Sequence, residues 1–171
     1  TKYLNGQSDV VGGVVCGSKA FIQQLFDGEY MTLGAVISPN DAWLMIRGLR
    51  TLDVRMQRVA DTTEGLIPFL EAHPAVEAVY YPFATDNPQY ELAQRQLARG
   101  GGQLSITLNT GSIRVVETFC EQLQHFLLAC SWGGYESLVF PTCALLNDKS
   151  EAVRGIPWNL VRFYIGLEEQ A

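Results

Sequence analysis

The chain has 171 residues, 47% of them hydrophobic and 18% charged, with a formal net charge of −6; this is the composition of a folded protein, not of a disordered segment. Such a length supports one sizeable core or two small, tightly packed units. Lysines and arginines are scattered, which excludes the basic stripe of a nucleic-acid face, and apolar runs such as "HFLLACSW" are too short for a membrane span of about 20 residues.

Taken in chain order, "DVVGGVVCG" reads as a buried strand interrupted by a glycine pair. "SKAFIQQLFDGEY" follows as a short amphipathic helix stopped by Gly28. "SPND" then offers Ser38 as N-cap, Pro39 at the first helical position and Asp41 three residues after the cap. Beyond it Met45, Leu49, Leu52, Met56, Val59, Leu66 and Leu70 recur at steps of three and four, with Thr63 in the one gap. This stripe predicts a single long helix from Pro39 to Ala72, kinked or broken near Gly65 and Pro68. "VEAVYYP" is a strand, and "NPQYELAQRQLARGGG" a capped helix running into glycines. "QLSITLN" alternates Leu104, Ile106 and Leu108 as a half-buried strand does. "SIRVVETFCEQLQHFLLA" is a second amphipathic helix and "LVRFYIGLEE" a last strand. Strand and helix alternate over this stretch, so the expected fold class is α/β.

Four places could carry chemistry. Lys2 beside Thr1 and Tyr3 is, by itself, an ordinary solvated cation; the alternative is a Schiff-base lysine whose amine condenses with an aldehyde cofactor. Gly6, Gly12 and Gly13 would allow a flat cofactor close to the backbone. Arg162, inside an otherwise apolar strand, needs a carboxylate. That carboxylate is either an internal Asp or Glu or the acid group of a substrate gripped by the guanidinium fork. "SWGGYES" bends the chain at two glycines and puts a hydroxyl (Ser131) and an aromatic wall (Trp132) at the bend, although a plain loop has the same composition. Arg47 and Arg50 of "RGLRT" read as a solvated helix face. Cys16, Cys120, Cys130 and Cys143 form no CxxC pair and are expected to be buried, reduced thiols of a cytoplasmic protein. His73 and His125 alone do not make a zinc site, so no metal is expected. The start lacks a basic stretch followed by an apolar one, and no signal peptide is expected.

Together these stretches resemble the Cys/Met-metabolism pyridoxal-phosphate enzymes, the family of cystathionine β-lyase, γ-synthase and γ-lyase and methionine γ-lyase. The family's lysine motif runs Thr-Lys, aromatic, aliphatic, any residue, Gly, His or Gln, then a small polar residue. Thr1, Lys2, Tyr3, Leu4, Gly6, Gln7 and Ser8 fit it. The likeness continues through "SPNDAWLMIRGLRTLDVRM", "HPAVEAVYYP", "SWGGYESL" and "LVRFYIGLEE", in the family's order.

The resemblance implies pyridoxal 5'-phosphate as cofactor, a Schiff base on Lys2, and Thr1 on the cofactor phosphate. It further implies that Arg162 grips the α-carboxylate of a sulfur-containing amino acid, with Ser131 and Trp132 assisting. As a fold, it implies the tail of a fold-type-I, aminotransferase-like large domain joined by a long helix to a small carboxy-terminal α/β domain. Residues 1–48 would close the large domain and residues 49–171 form the small one. Sites built between subunits of a homotetramer, a cytoplasmic location, and no nucleic-acid or membrane partner complete the expectation. The Ser131-Trp132 pair leans toward β-elimination of the cystathionine β-lyase type; γ-synthase and γ-lyase chemistry are the alternatives. A catalytically silent assembly module is the non-enzyme alternative. The stretch before Lys2 is too short to include the family's amino-terminal half, so these residues alone are expected neither to hold the cofactor firmly nor to turn over. Val59 and Thr62 stand where many relatives carry His and Asn, so that helix face is expected to pack differently.

Overall fold

The computed structural model describes residues 2–145 and 155–169. It is a mixed α/β structure built on one five-stranded sheet. The helices are α1 (Lys19–Leu25), α2 (Met31–Leu33), α3 (Pro39–Leu49), α4 (Leu52–Ala72), α5 (Tyr90–Gln96) and α6 (Ile113–Gln122). The strands are β1 (Val76–Tyr80), β2 (Gln103–Leu108), β3 (Leu127–Leu128), β4 (Leu138–Pro141) and β5 (Leu160–Tyr164), side by side in the order β1-β2-β5-β4-β3. All neighbours are antiparallel except the β3–β4 pair.

Register explains the two faces of the sheet. Leu104 lies opposite Phe163, Ile106 opposite Val161, and Val139 opposite Phe163. With a side-chain period of two, these residues share one face. Against that face pack Ile67 from α4 and Val116 and Cys120 from α6, forming the core with Leu108 and Ile165. The other face presents Arg162, flanked by Ser105 on one side and Phe140 on the other, and Tyr164 two residues on. Arg162 therefore stays out of the core although its immediate neighbours in sequence are in it.

Four expectations are corrected. The helix expected over "SIRVVETFCEQLQHFLLA" ends at Gln122, and Leu127–Leu128 form β3. "DVVGGVVCG" forms no strand: Val11 is 92% exposed and Val14 78%. A strand requires a neighbouring ladder for its backbone groups, and none of the described strands pairs with this stretch. The first helix is not stopped by Gly28. A π-helical turn over Phe26–Tyr30 carries the chain on to Leu33, and Gly34 at φ 61° ends it.

The long helix from Pro39 to Ala72 is two helices. Ser38 caps α3 as expected, its hydroxyl accepting from Asp41 N–H at 3.1 Å. The chain then leaves helical geometry at Thr51 (φ −111°, ψ 6°). Gly65 and Pro68 lie within α4 and do not end it. The side chains that α4 buries are Arg55, Val59, Ala60, Thr62, Thr63 and Ile67. The buried face is thus rotated from the expected stripe, and Leu49 of that stripe is exposed. Thr63 fits by donating its hydroxyl to Val59 O at 2.8 Å, the usual route for a buried helical threonine. Val59 and Thr62, expected to mark altered packing, are both buried.

Candidate active site

The site is assembled on the Arg162 face of the sheet from two segments far apart in sequence. Residues 2–6 form a tight turn closed by Gly6 N–H donating to Lys2 O at 3.0 Å. Gly6 has φ 71°, a left-handed conformation glycine adopts at no steric cost. The second segment is the 131–137 bend. It meets the turn at Gly133 (φ 87°), where an added Cβ would lie 2.7 Å from the Lys2 carbonyl carbon and 2.8 Å from Tyr3 N. No other residue permits so close an approach.

Tyr3 locks the two together. Its ring stands edge-on to Trp132 at 5.4 Å between centroids and 6.0 Å from Tyr164. Its hydroxyl accepts from Gly102 N–H at 2.8 Å. Tyr164, 1% exposed, donates its hydroxyl to Gly134 O at 2.8 Å. Burial pushes the pKa of both phenols up, since the phenolate would lose its hydration. Ser8 donates to Glu136 Oε2 at 3.0 Å, a further tie between turn and bend.

Lys2 is exposed, its Nζ 3.4 Å from Ser131 Oγ and 5.4 Å from the centre of the Trp132 ring. Arg162 reaches the same residue from the sheet. Its Nη2 donates to Ser131 O at 3.1 Å and lies 3.4 Å from Ala129 O, while Cζ stands 5.5 Å from the Phe140 ring. Of the two partners expected for Arg162, the internal carboxylate is not found: among the described residues no Asp or Glu lies within ion-pair distance of it. Its buried Nε has no hydrogen-bond partner. A guanidinium on a sheet face with a donor to spare fits an acid group brought by a ligand. An amine at the opposite side of Ser131 fits an aldehyde cofactor. The residues present therefore suit pyridoxal phosphate and an amino-acid substrate at these two points.

Lys2, Ser131, Trp132 and Arg162 are thus brought together. Thr1 lies outside the described residues. Gly6, expected to admit a cofactor, instead admits Arg55, whose Nη1 would collide with an added Cβ; Gly13 has open space around it. Cys16 and Cys130 are exposed, contrary to expectation, and Cys120 is buried. Glu168 is a participant of which the sequence carries no sign. Its carboxylate accepts from Ser137 N–H and Ser137 Oγ, each at 2.7 Å. It thereby ties the bend to the segment C-terminal to Arg162. Arg55 was also missed, although Thr51 four residues earlier on the helix is the spacing at which a hydroxyl can meet it.

The chain matches the Cys/Met metabolism PLP-dependent enzyme family over residues 1–171, and it belongs to that family. It is 41% identical to the cystathionine gamma-lyase of Sus scrofa over 99% of its own length and 43% of that protein's. Against the L-methionine gamma-lyase of Pseudomonas putida the identity is 37%, over 99% of this chain and 44% of that one. Among solved structures, the cystathionine gamma synthase of Xanthomonas oryzae pv. oryzae in complex with aminoacrylate and cysteine superposes with a TM-score of 0.87 at 38% identity. That match covers 98% of this chain and 44% of the other. The chain thus spans less than half the length of these relatives. The family is pyridoxal-phosphate-dependent by description, which agrees with the resemblance carried by the lysine motif.

Proposed function

We propose that the chain is the carboxy-terminal part of a pyridoxal-phosphate-dependent enzyme that breaks or makes carbon–sulfur bonds in amino acids, with Lys2 as the cofactor-bearing and proton-moving amine. The observation that carries this reading is the convergence on Ser131, where Lys2 meets the hydroxyl and Arg162 the backbone carbonyl. Pyridoxal phosphate, when bound, supplies an aldehyde for the amine and a ring that takes up the electrons of a broken Cα–H bond. The protein residues do the rest. Arg162 holds the substrate carboxylate through its spare donors, which fixes Cα relative to Lys2. Lys2 Nζ takes the Cα proton and returns one to the departing sulfur. Ser131 orients the amine, Trp132 screens it from water on one side, and Thr1 binds the cofactor phosphate.

The bond cleaved is proposed to be at Cγ, since these relatives are a γ-lyase, a methionine γ-lyase and a γ-synthase. The alternative is the β reaction expected from the Ser131-Trp132 pair, whose tryptophan ring centre stands 5.4 Å from the Lys2 amine. Incubating the full-length protein with cystathionine decides between them: 2-oxobutyrate is expected, and pyruvate in its place assigns the β reaction. Borohydride reduction followed by mass analysis tests the reading beneath both, because only a lysine-bound cofactor leaves its mass on Lys2. An unmodified Lys2 would leave the assembly-module reading standing.

The division into residues 1–48 and 49–171, a homotetramer and a cytoplasmic location belong to the same proposal. The first is supported by the sheet and its core lying wholly between Val76 and Ile165, apart from what α4 packs on them. Among the described residues no helix is long and apolar enough to cross a membrane.

A further inference from the structure

Arg55 is 8% exposed, and among the described residues no carboxylate pairs with it. Burying a guanidinium without a counter-ion is costly, and burial pushes its pKa down against a smaller opposing effect of Tyr164. Such a residue stays in place only if its donors are met. Nε donates to Thr51 Oγ1 at 3.0 Å, Nη2 to Gly48 O at 2.8 Å and Nη1 to Tyr3 O at 2.8 Å. Two of the three acceptors are backbone carbonyls on different segments, one at the end of α3 and one in the turn that carries Lys2.

The break between α3 and α4 makes this possible. In a continuous helix Gly48 O would accept from the N–H of residue 52. Here it accepts from Thr51 N–H at 3.2 Å and is left open to Arg55 as well. Gly48 itself is buried against the turn, where an added Cβ would lie 2.7 Å from Leu4 O and would strike Asn5 O. Gly6 leaves its side-chain space to Arg55. Two successive carbonyls of the turn are consequently fixed, Lys2 O by Gly6 N–H and Tyr3 O by Arg55. The backbone on either side of the Lys2–Tyr3 peptide has little freedom, while the Lys2 amine is exposed.

We propose that Arg55 is a positioning residue for the site: by holding Tyr3 O against the broken end of α3, its fork sets the direction from which the Lys2 amine approaches its reaction partners. The proposal rests on the reading that Lys2 bears the cofactor. A lysine at this position carries the charge but reaches only one carbonyl at a time, so it does not substitute.

The test uses the full-length holoenzyme with Arg55→Lys, Arg55→Ala and Gly48→Ala. For each, the thermal midpoint, the visible band of the lysine-bound cofactor, its pH titration and the separate kcat and KM values are measured. Gly48→Ala leaves Arg55 in place but pushes the turn off α3, so it probes the same contact if the arginine variants do not fold. The expected result is a displaced titration midpoint and a kcat lowered about tenfold or more with KM within about twofold, in Arg55→Lys and Gly48→Ala alike. Guanidinium ion added at millimolar concentration is expected to restore part of the kcat of Arg55→Ala. Variants that lose only thermal stability, with band, titration and kcat as in the wild type, overturn the proposal and leave Arg55 a purely structural staple. A wild-type protein from which borohydride fixes no cofactor on Lys2 overturns the reading beneath, and the proposal with it; an intact wild-type signal beside unchanged variants overturns the proposal alone.

Discussion

Arg162 has the sharpest consequence at the level of single residues. With an unpartnered Nε and no internal carboxylate among the described residues, its fork is matched to a planar acid group in a way an ammonium is not. Arg162→Lys in the full-length enzyme is expected to raise KM about 10- to 100-fold, the equivalent of about 1.5–3 kcal/mol for a charge-assisted hydrogen bond, and steady-state kinetics read it directly. An unchanged KM would remove Arg162 from the substrate site. The importance of Arg162 was legible in the sequence because a charge in an apolar strand is expensive. Its partner was not, because whether an Asp or Glu lies opposite depends on strand order, and β5 turns out to sit between β2 and β4. Lys2 was legible only through the family's motif; by composition it is one of three lysines.

Among elements, the 131–137 bend is positioned by the segment C-terminal to β5. Besides the two bonds from Ser137 to Glu168, Leu167 N–H donates to Tyr135 O and Gly166 N–H to Ser137 Oγ. Arg58 of α4 donates to Glu168 O at 2.9 Å, so bend, strand end and helix meet at one residue. Glu168→Ala is expected to lower stability by about 1–2 kcal/mol, the scale of charge-assisted hydrogen bonds partly open to water, and to lower kcat/KM by loosening Ser131. A chemical-denaturation curve and an activity assay check the two effects, and full activity in the destabilised variant would show that Ser131 does not depend on the clasp. Strands β1, β2 and β5 and the Ser38 cap were legible from alternation and local chemistry, whereas β3 lies in the stretch expected to be helical and β4 is too short to show a pattern. The helix break at Thr51 was not legible: the apolar repeat runs straight through it, and the break goes with a tertiary contact of Gly48 with the Lys2 turn that local sequence does not announce. The strand expected at "DVVGGVVCG" failed for the opposite reason, since β-propensity cannot supply a neighbouring strand.

The molecule as a whole buries several groups that are neutral only when protonated. Burial pushes Tyr81 up to about 12 and Cys120 likewise to about 12, and raises Tyr3 and Tyr164. A raised folded-state pKa contributes stability that is present below the unfolded value and lost as pH climbs toward the folded one. For Cys120 and Tyr81 the loss begins near the ordinary thiol and phenol values, 9.0 and 10.0, and runs to about 12. Thermal midpoints of the full-length protein are therefore expected to fall steeply above pH 9. Tyr81→Phe should flatten that fall and leave stability at pH 7 equal or higher, because the Tyr81 hydroxyl is buried without a partner. A steeper alkaline fall in the phenylalanine variant would refute the assignment. Val11, Val14, Leu33 and Val36 stand between 61% and 92% exposed on the stretch around α1 and α2, a greasy arm on a body of net charge −6. Like-charge repulsion keeps such bodies apart in dilute buffer, whereas added salt screens it and leaves the apolar attraction intact. Precipitation of these 171 residues on salting, rather than on dilution, is the colloidal signature that this arm imposes.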